Sequence, residues 1–77
     1  MIKLIAVADE HIQFNGKFYG YAWFTNEEGS EIPVAYRVGR KNTLVTEAVW
    51  KWIKKDRTKE QQSWIEANIT KLQKLFK

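Results

Sequence analysis

Residues Lys17-Phe18-Tyr19-Gly20-Tyr21-Ala22-Trp23-Phe24 read as a β-strand, in which successive side chains point to opposite faces. Phe18, Gly20, Ala22 and Phe24 share one face; Lys17, Tyr19, Tyr21 and Trp23 share the other. The first face can pack under helices. The second is amphipathic and led by a cation, so if uncovered it is a platform for stacking a flat ligand. Asn15-Gly16 stands just before this stretch. That pair is the strongest short hairpin signal, because a type I′ turn needs positive φ at both central positions.

On the N-terminal side, Ile2, Leu4, Ala6, Ala8, Ile12 and Phe14 all occupy even positions. This predicts a strand over about 2–14, bent or bulged near Asp9-Glu10. On the C-terminal side the central strand runs over 17–25, and Asn26-Glu27-Glu28-Gly29 reads as a turn with Gly in the left-handed position. A third strand follows over 31–38, with Ile32, Val34, Tyr36 and Val38 on one face. Pro33 cannot donate to a ladder, which marks an edge strand or a strand start. After the break Gly39-Arg40-Lys41-Asn42 the period becomes helical. Leu44, Val45, Ala48, Val49, Trp52 and Ile53 form one stripe of a helix over 43–56 that leaves Trp50 off the stripe. Thr58-Lys59-Glu60-Gln61 then opens a capping box, and a second helix covers 59–76 with Trp64, Ile65, Ile69, Leu72, Leu75 and Phe76 as its stripe. The expected architecture is α+β: one compact domain over 1–77, a three-stranded antiparallel meander followed by two helices packed on the even face of the sheet.

Composition narrows the function. A chain of 77 residues has little stability to spare, and its four Trp, four Phe and three Tyr offset a small core. There is no Cys, hence no disulfide and no thiolate metal site, which fits a reducing, cytoplasmic setting. No apolar run approaches the roughly 18 residues of a membrane span, and the apolar start is too short for a signal sequence before Asp9-Glu10 interrupts it. The net charge of +4 is unevenly placed. Residues 1–36 set Lys3 and Lys17 against Asp9, Glu10, Glu27, Glu28 and Glu31. Residues 37–59 set eight cations against Glu47 and Asp56. The single His, the absence of Cys, and Ser only at 30 and 63 offer no nucleophile with a base and orienting acid. Asp9 and His11 share a strand face without a third metal ligand. No enzyme, cofactor or metal is expected.

The strand Lys17–Phe24 resembles the ribonucleoprotein octapeptide of RNA-recognition-motif domains, Lys/Arg-Gly-Phe/Tyr-Gly/Ala-Phe-Val-x-Phe/Tyr. Lys17, Tyr19, Gly20 and Phe24 match and Tyr21 is a conservative replacement, while Phe18 and Ala22 depart. The resemblance covers eight of the 77 residues, and the β-β-β-α-α order differs from the family's alternation. It implies that Tyr19 and Tyr21 stack on bases and that Lys17 lies near a phosphate.

The leading expectation is therefore a small RNA- or single-stranded nucleic-acid-binding protein. Tyr19, Tyr21 and Trp23 stack on bases; Lys17, Arg37, Arg40 and Lys41 track phosphates, and Lys51, Lys54, Lys55 and Arg57 extend the path. The alternative is a protein-binding inhibitor, such as a phage-encoded antagonist of a host or defence protein, anchored by Tyr21, Trp23 and Trp50. A homodimer is a further way to cover the aromatic face. A reader of double-stranded DNA would need more cations on the sheet itself.

Overall fold

The computed structural model describes residues 1–77. Its elements are β1 (Lys3–Val7), β2 (Ile12–Phe14), β3 (Lys17–Thr25), β4 (Glu31–Arg37), β5 (Thr43–Leu44), α1 (Lys51–Asp56) and α2 (Lys59–Phe76). The Asn15-Gly16 pair turns with φ of +54° and +76°, and pairs Phe14 with Lys17. At the other end of β3, Gly29 has φ of +84°, and Asn26 Oδ1 accepts from the N–H groups of Glu28 and Ser30 at 3.0 and 2.9 Å. That turn sets β4 against β3 from Tyr19↔Arg37 to Thr25↔Glu31.

The expected first strand is two strands, both laid along one edge of β3. β1 pairs with its C-terminal half and β2 with its N-terminal half. The chain breaks and bends at Asp9, as expected, and the register slips in addition at Ile5, between Leu4↔Phe24 and Ala6↔Trp23. A bulge reverses the side-chain parity downstream. Leu4 therefore lies over the even face, whereas Ile12, opposite Tyr19, joins the odd one.

The α+β class and the order of sheet then two helices hold, but the helices divide between the faces. On the even face, α2 lays Ile65 and Leu72 against Ala22, Phe24, Ile32, Val34, Tyr36 and Leu44. The capping box at Thr58 and Gln61 starts α2 as the sequence predicts. Gln73 clasps its far end to the sheet, accepting from Leu44 N–H at 2.7 Å and donating to the Asn42 carbonyl at 3.2 Å. On the odd face, Trp50 and Ile53 pack with Tyr19 and Ala35.

The expected helix over 43–56 is the main correction. Tyr36 pairs with Leu44 and Arg37 with Thr43, so the segment opens as a strand. Leu44 and Val45 then point to opposite faces. Residues 45–50 carry the chain around the sheet edge, and only Lys51–Asp56 is helical. β-branched Thr43, Val45, Thr46 and Val49 lower helix propensity, while the free backbone of β4 offers pairing. The Val45 N–H donates to the Ala35 carbonyl at 2.9 Å. Farther along β4, Arg57 donates through Nη2 to the Pro33 carbonyl at 2.6 Å and through Nη1 to Thr46 O at 2.9 Å and Gln62 Oε1 at 3.1 Å. Pro33 thus sits beyond the reach of β5, where its missing N–H leaves no donor unpaired.

Candidate functional site

Because the chain wraps the odd face, the aromatic residues expected to form an open platform are gathered into a cluster. Tyr21 is its centre. Its ring meets Trp50 at 4.9 Å, Trp52 at 5.2 Å and Trp23 at 6.2 Å, all edge-on. Trp52, two residues into α1, stacks on Trp23 at 6.0 Å with the planes 27° apart. Edge-to-face and offset-stacked geometries are those the aromatic quadrupole favours. Tyr19 is only 7% exposed, packed with Trp50 and Ile53 and edge-on to Phe14, so its ring face is not open to a base. Tyr21 and Trp23 are half-buried.

Trp50, at the N-cap of α1, and Trp52, within it, exchange the roles the sequence assigns them. Trp50 is 6% exposed and belongs to the core; Trp52 is 38% exposed and lies at the surface. The wheel that placed Trp52 inside assumes a helix beginning at Leu44, and the helix begins at Lys51. Trp23, Trp52, Ile53 and Pro33 supply the apolar wall of a cleft of about 180 Å³, which Glu31, Asp56, Arg57 and Gln61 also line. Trp52 is the functional candidate that sequence reasoning put in the core. No sequence signal marks Trp52 as exposed once the helix is phased from Leu44.

The basic residues are placed in two groups. Arg37, Arg40 and Lys41, all exposed, line one groove of about 400 Å³ with Gly39, Thr43 and Val45, at the end of the sheet where β4 turns into β5. Lys51, Lys54 and Lys55 are exposed on α1, and Lys17 is exposed at the start of β3. Arg57 is not a free cation. Burial pulls its pKa below the ordinary guanidinium value, and its donors are engaged by Pro33, Thr46 and Gln62. The aromatic cleft and the Arg37–Arg40–Lys41 groove therefore have no lining residue in common.

Acidic residues collect around the aromatic end. Glu27, Glu28 and Glu60 line a groove where the β3–β4 turn meets the start of α2. There Trp64 Nε1–H donates to Glu27 Oε1 at 2.8 Å. The Glu27 carboxyl is held below its ordinary range by its own backbone hydrogen bond, then by Trp64, and more weakly by the charges of Lys71 and the N-terminus. His11 stands alone, with Nε2 at 3.3 Å from the Tyr36 hydroxyl. No three His, Cys, Asp or Glu residues are grouped to hold a metal ion, and no helix is long and apolar enough to cross a membrane. No protein-family model matches the chain, and comparison with curated proteins and with solved structures yields no match either.

Proposed function

We propose that this chain is a small protein-binding module that docks through the Trp23–Trp52 pair, acting in the cytoplasm as its cysteine-free composition allows. One observation carries the reading. Trp52 is a large aromatic left 38% exposed, yet its ring is fixed by stacking on Trp23 and by the edge of Tyr21. A rigid, partly exposed indole is the type of side chain that dominates interface energetics, since little conformational entropy is lost when it is covered. The cleft beside it is smaller than the roughly 300–1,000 Å³ of small-molecule sites, so it suits one side chain of a partner. An inhibitor, including a phage-encoded antagonist of a host or defence protein, is one role for such a module.

The test is to capture polypeptides on the immobilised protein, purify the one retained, and titrate it by calorimetry against wild type and Trp52→Ala. A hot-spot indole predicts at least about a 30-fold loss of affinity, with the circular dichroism of the fold retained. Unchanged affinity in Trp52→Ala would remove the reading.

A second reading, binding of single-stranded nucleic acid, is supported by the meeting of Arg37, Arg40 and Lys41 in one groove. Without an open tyrosine platform it rests on charge. Arg40→Ala should then flatten the slope of log affinity against log salt for an unstructured RNA by about 0.7. Wild type that binds no RNA at low salt excludes it.

A further inference from the structure

We infer that the Trp23–Trp52 cleft receives an arginine side chain of the partner; this rests on the protein-binding reading and specifies its chemistry. Two carboxylates reach the cleft from different elements. Glu31 opens β4 on the same face as Pro33 and lies opposite Thr25, next to Trp23. Asp56 stands one helical turn beyond Trp52 and lines the same cavity. Both are exposed, and neither makes a side-chain hydrogen bond within the chain. The one cation in the lining, Arg57, turns its guanidinium to the carbonyls of Pro33 and Thr46. It offsets one carboxylate and leaves the lining residues net negative, with Lys51, Lys54 and Lys55 outside the lining on α1.

An indole face draws a cation through its quadrupole, and tryptophan does so best. A guanidinium is the cation that fits here, because it is planar enough to lie on an indole while its forked N–H groups reach carboxylates at the rim. Trp23 and Trp52 stand 6.0 Å apart, so nothing inserts between them. Their stacked pair is instead one wall of the cleft that Glu31 and Asp56 also line. The same geometry disfavours other occupants. A phosphate would meet two carboxylates, and the volume of about 180 Å³ is too small for a nucleobase with its sugar.

The probe is the peptide Gly-Ser-Arg-Ser-Gly, compared with the same peptide carrying citrulline, which keeps the shape and removes the charge. Each is titrated to about 10 mM, where even a millimolar affinity registers, while the indole N–H resonances of the protein are followed. The arginine peptide should shift the Trp23 and Trp52 signals saturably and leave that of Trp64, tied to Glu27, in place. Citrulline should bind at least about threefold more weakly, the scale of an exposed cation–π contact. The double variant Glu31→Gln, Asp56→Asn should narrow that difference, removing the carboxylates' share and leaving that of the indoles, while keeping the wild-type spectrum elsewhere. Equal binding of the two peptides, no shift in either indole, or an unaltered difference in the double variant overturns the inference. If Trp52→Ala abolishes binding of the captured partner while the two peptides behave alike, the docking reading survives and the arginine does not. If the arginine peptide binds as described but Trp52→Ala leaves partner affinity unchanged, the arginine site stands and the docking reading falls.

Discussion

Trp50 and Trp52 are two residues apart and respond to truncation in opposite ways. Trp50 fills the space between Tyr19, Ala35 and Ile53, so Trp50→Ala leaves a cavity that a small core cannot close. We expect a loss of about 3–5 kcal/mol, a large share of the stability of so short a chain. Trp52→Ala removes two aromatic contacts at the surface and should cost about 1–2 kcal/mol. Urea melts of both variants check the order. A third residue, Gly20, is constrained by what lies across it. The Tyr36 ring covers it so closely that an added Cβ would overlap the ring. Tyr36 is itself held by Phe76 at 4.8 Å and by His11. Gly20→Ala must displace that ring, at about 1–3 kcal/mol as for other overpacked cores. At this scale the sequence is legible only where the backbone decides. Asn15, Gly16 and Gly29 take the conformations their types announce. The inside and outside of the Trp50–Trp52 pair depend on where a helix starts, which composition does not state.

Among the elements, β5 is only two residues long, and Arg57 does the work of the missing length. Its guanidinium satisfies the Pro33 carbonyl that β5 does not reach and ties down Thr46, where the chain crosses the sheet edge. Arg57→Ala leaves these carbonyls less satisfied and should cost about 1.5–3 kcal/mol, the range for hydrogen bonds to a charged group. Arg57→Lys should recover little, since a single ammonium cannot reach both carbonyls in a forked geometry. Thermal melts of the two variants test this. The strands over 17–25 and 31–38 and the helix over 59–76 are readable because each carries both a period and a stop signal, a turn or a capping box. The segment 43–56 carries a helical period, and Asn42 or Thr43 could cap it, but Asn42 Oδ1 accepts from the Gly39 N–H and the Thr43 hydroxyl donates to the Lys41 carbonyl instead. Trp50 occupies the N-cap of α1 without a side-chain cap bond. The pairing demand of β4, a tertiary term, then overrides a weak local preference.

Across the whole molecule, the fold gathers carboxylates that lie far apart along the chain, with cations beside them: Lys51, Lys54 and Lys55 share α1 with Asp56, and the charge of Lys71 acts on Glu27. Asp56 and Glu60 belong to the basic half of the sequence, but the α1–α2 junction returns to the β3–β4 turn and adds them to Glu27, Glu28 and Glu31. Arg37, Arg40 and Lys41 lie at the opposite end of β4, where Lys41 and Lys77 flank Phe76 at the end of α2. Glu60 in the first turn of α2 and Lys74 in its last suit the helix dipole. The aromatic cleft draws Glu31 and Asp56 together beside Trp23 and Trp52, a juxtaposition that no sequence window contains.

Two groups give this arrangement a pH signature. The Glu27 carboxyl is lowered in the folded state by its backbone hydrogen bond and by Trp64. Its stabilisation is complete above the ordinary glutamate value, near about 4.3, and is lost as pH falls through the lowered folded value. The Tyr36 hydroxyl is raised, first by burial and then by Asp9. Its stabilisation is complete below the ordinary tyrosine value of about 10 and is lost as pH rises through the raised folded value. Stability measured by urea melts should therefore form a plateau between these limits and fall on both sides. Glu27→Gln should flatten the acid limb and leave the alkaline one unchanged. Tyr36→Phe should flatten the alkaline limb alone, over a baseline lowered by loss of the His11 contact. An acid limb unaltered in Glu27→Gln would mean that the Trp64–Glu27 bond does not couple the start of α2 to the sheet. The acidic end would then be held by packing of the even face rather than by its charges.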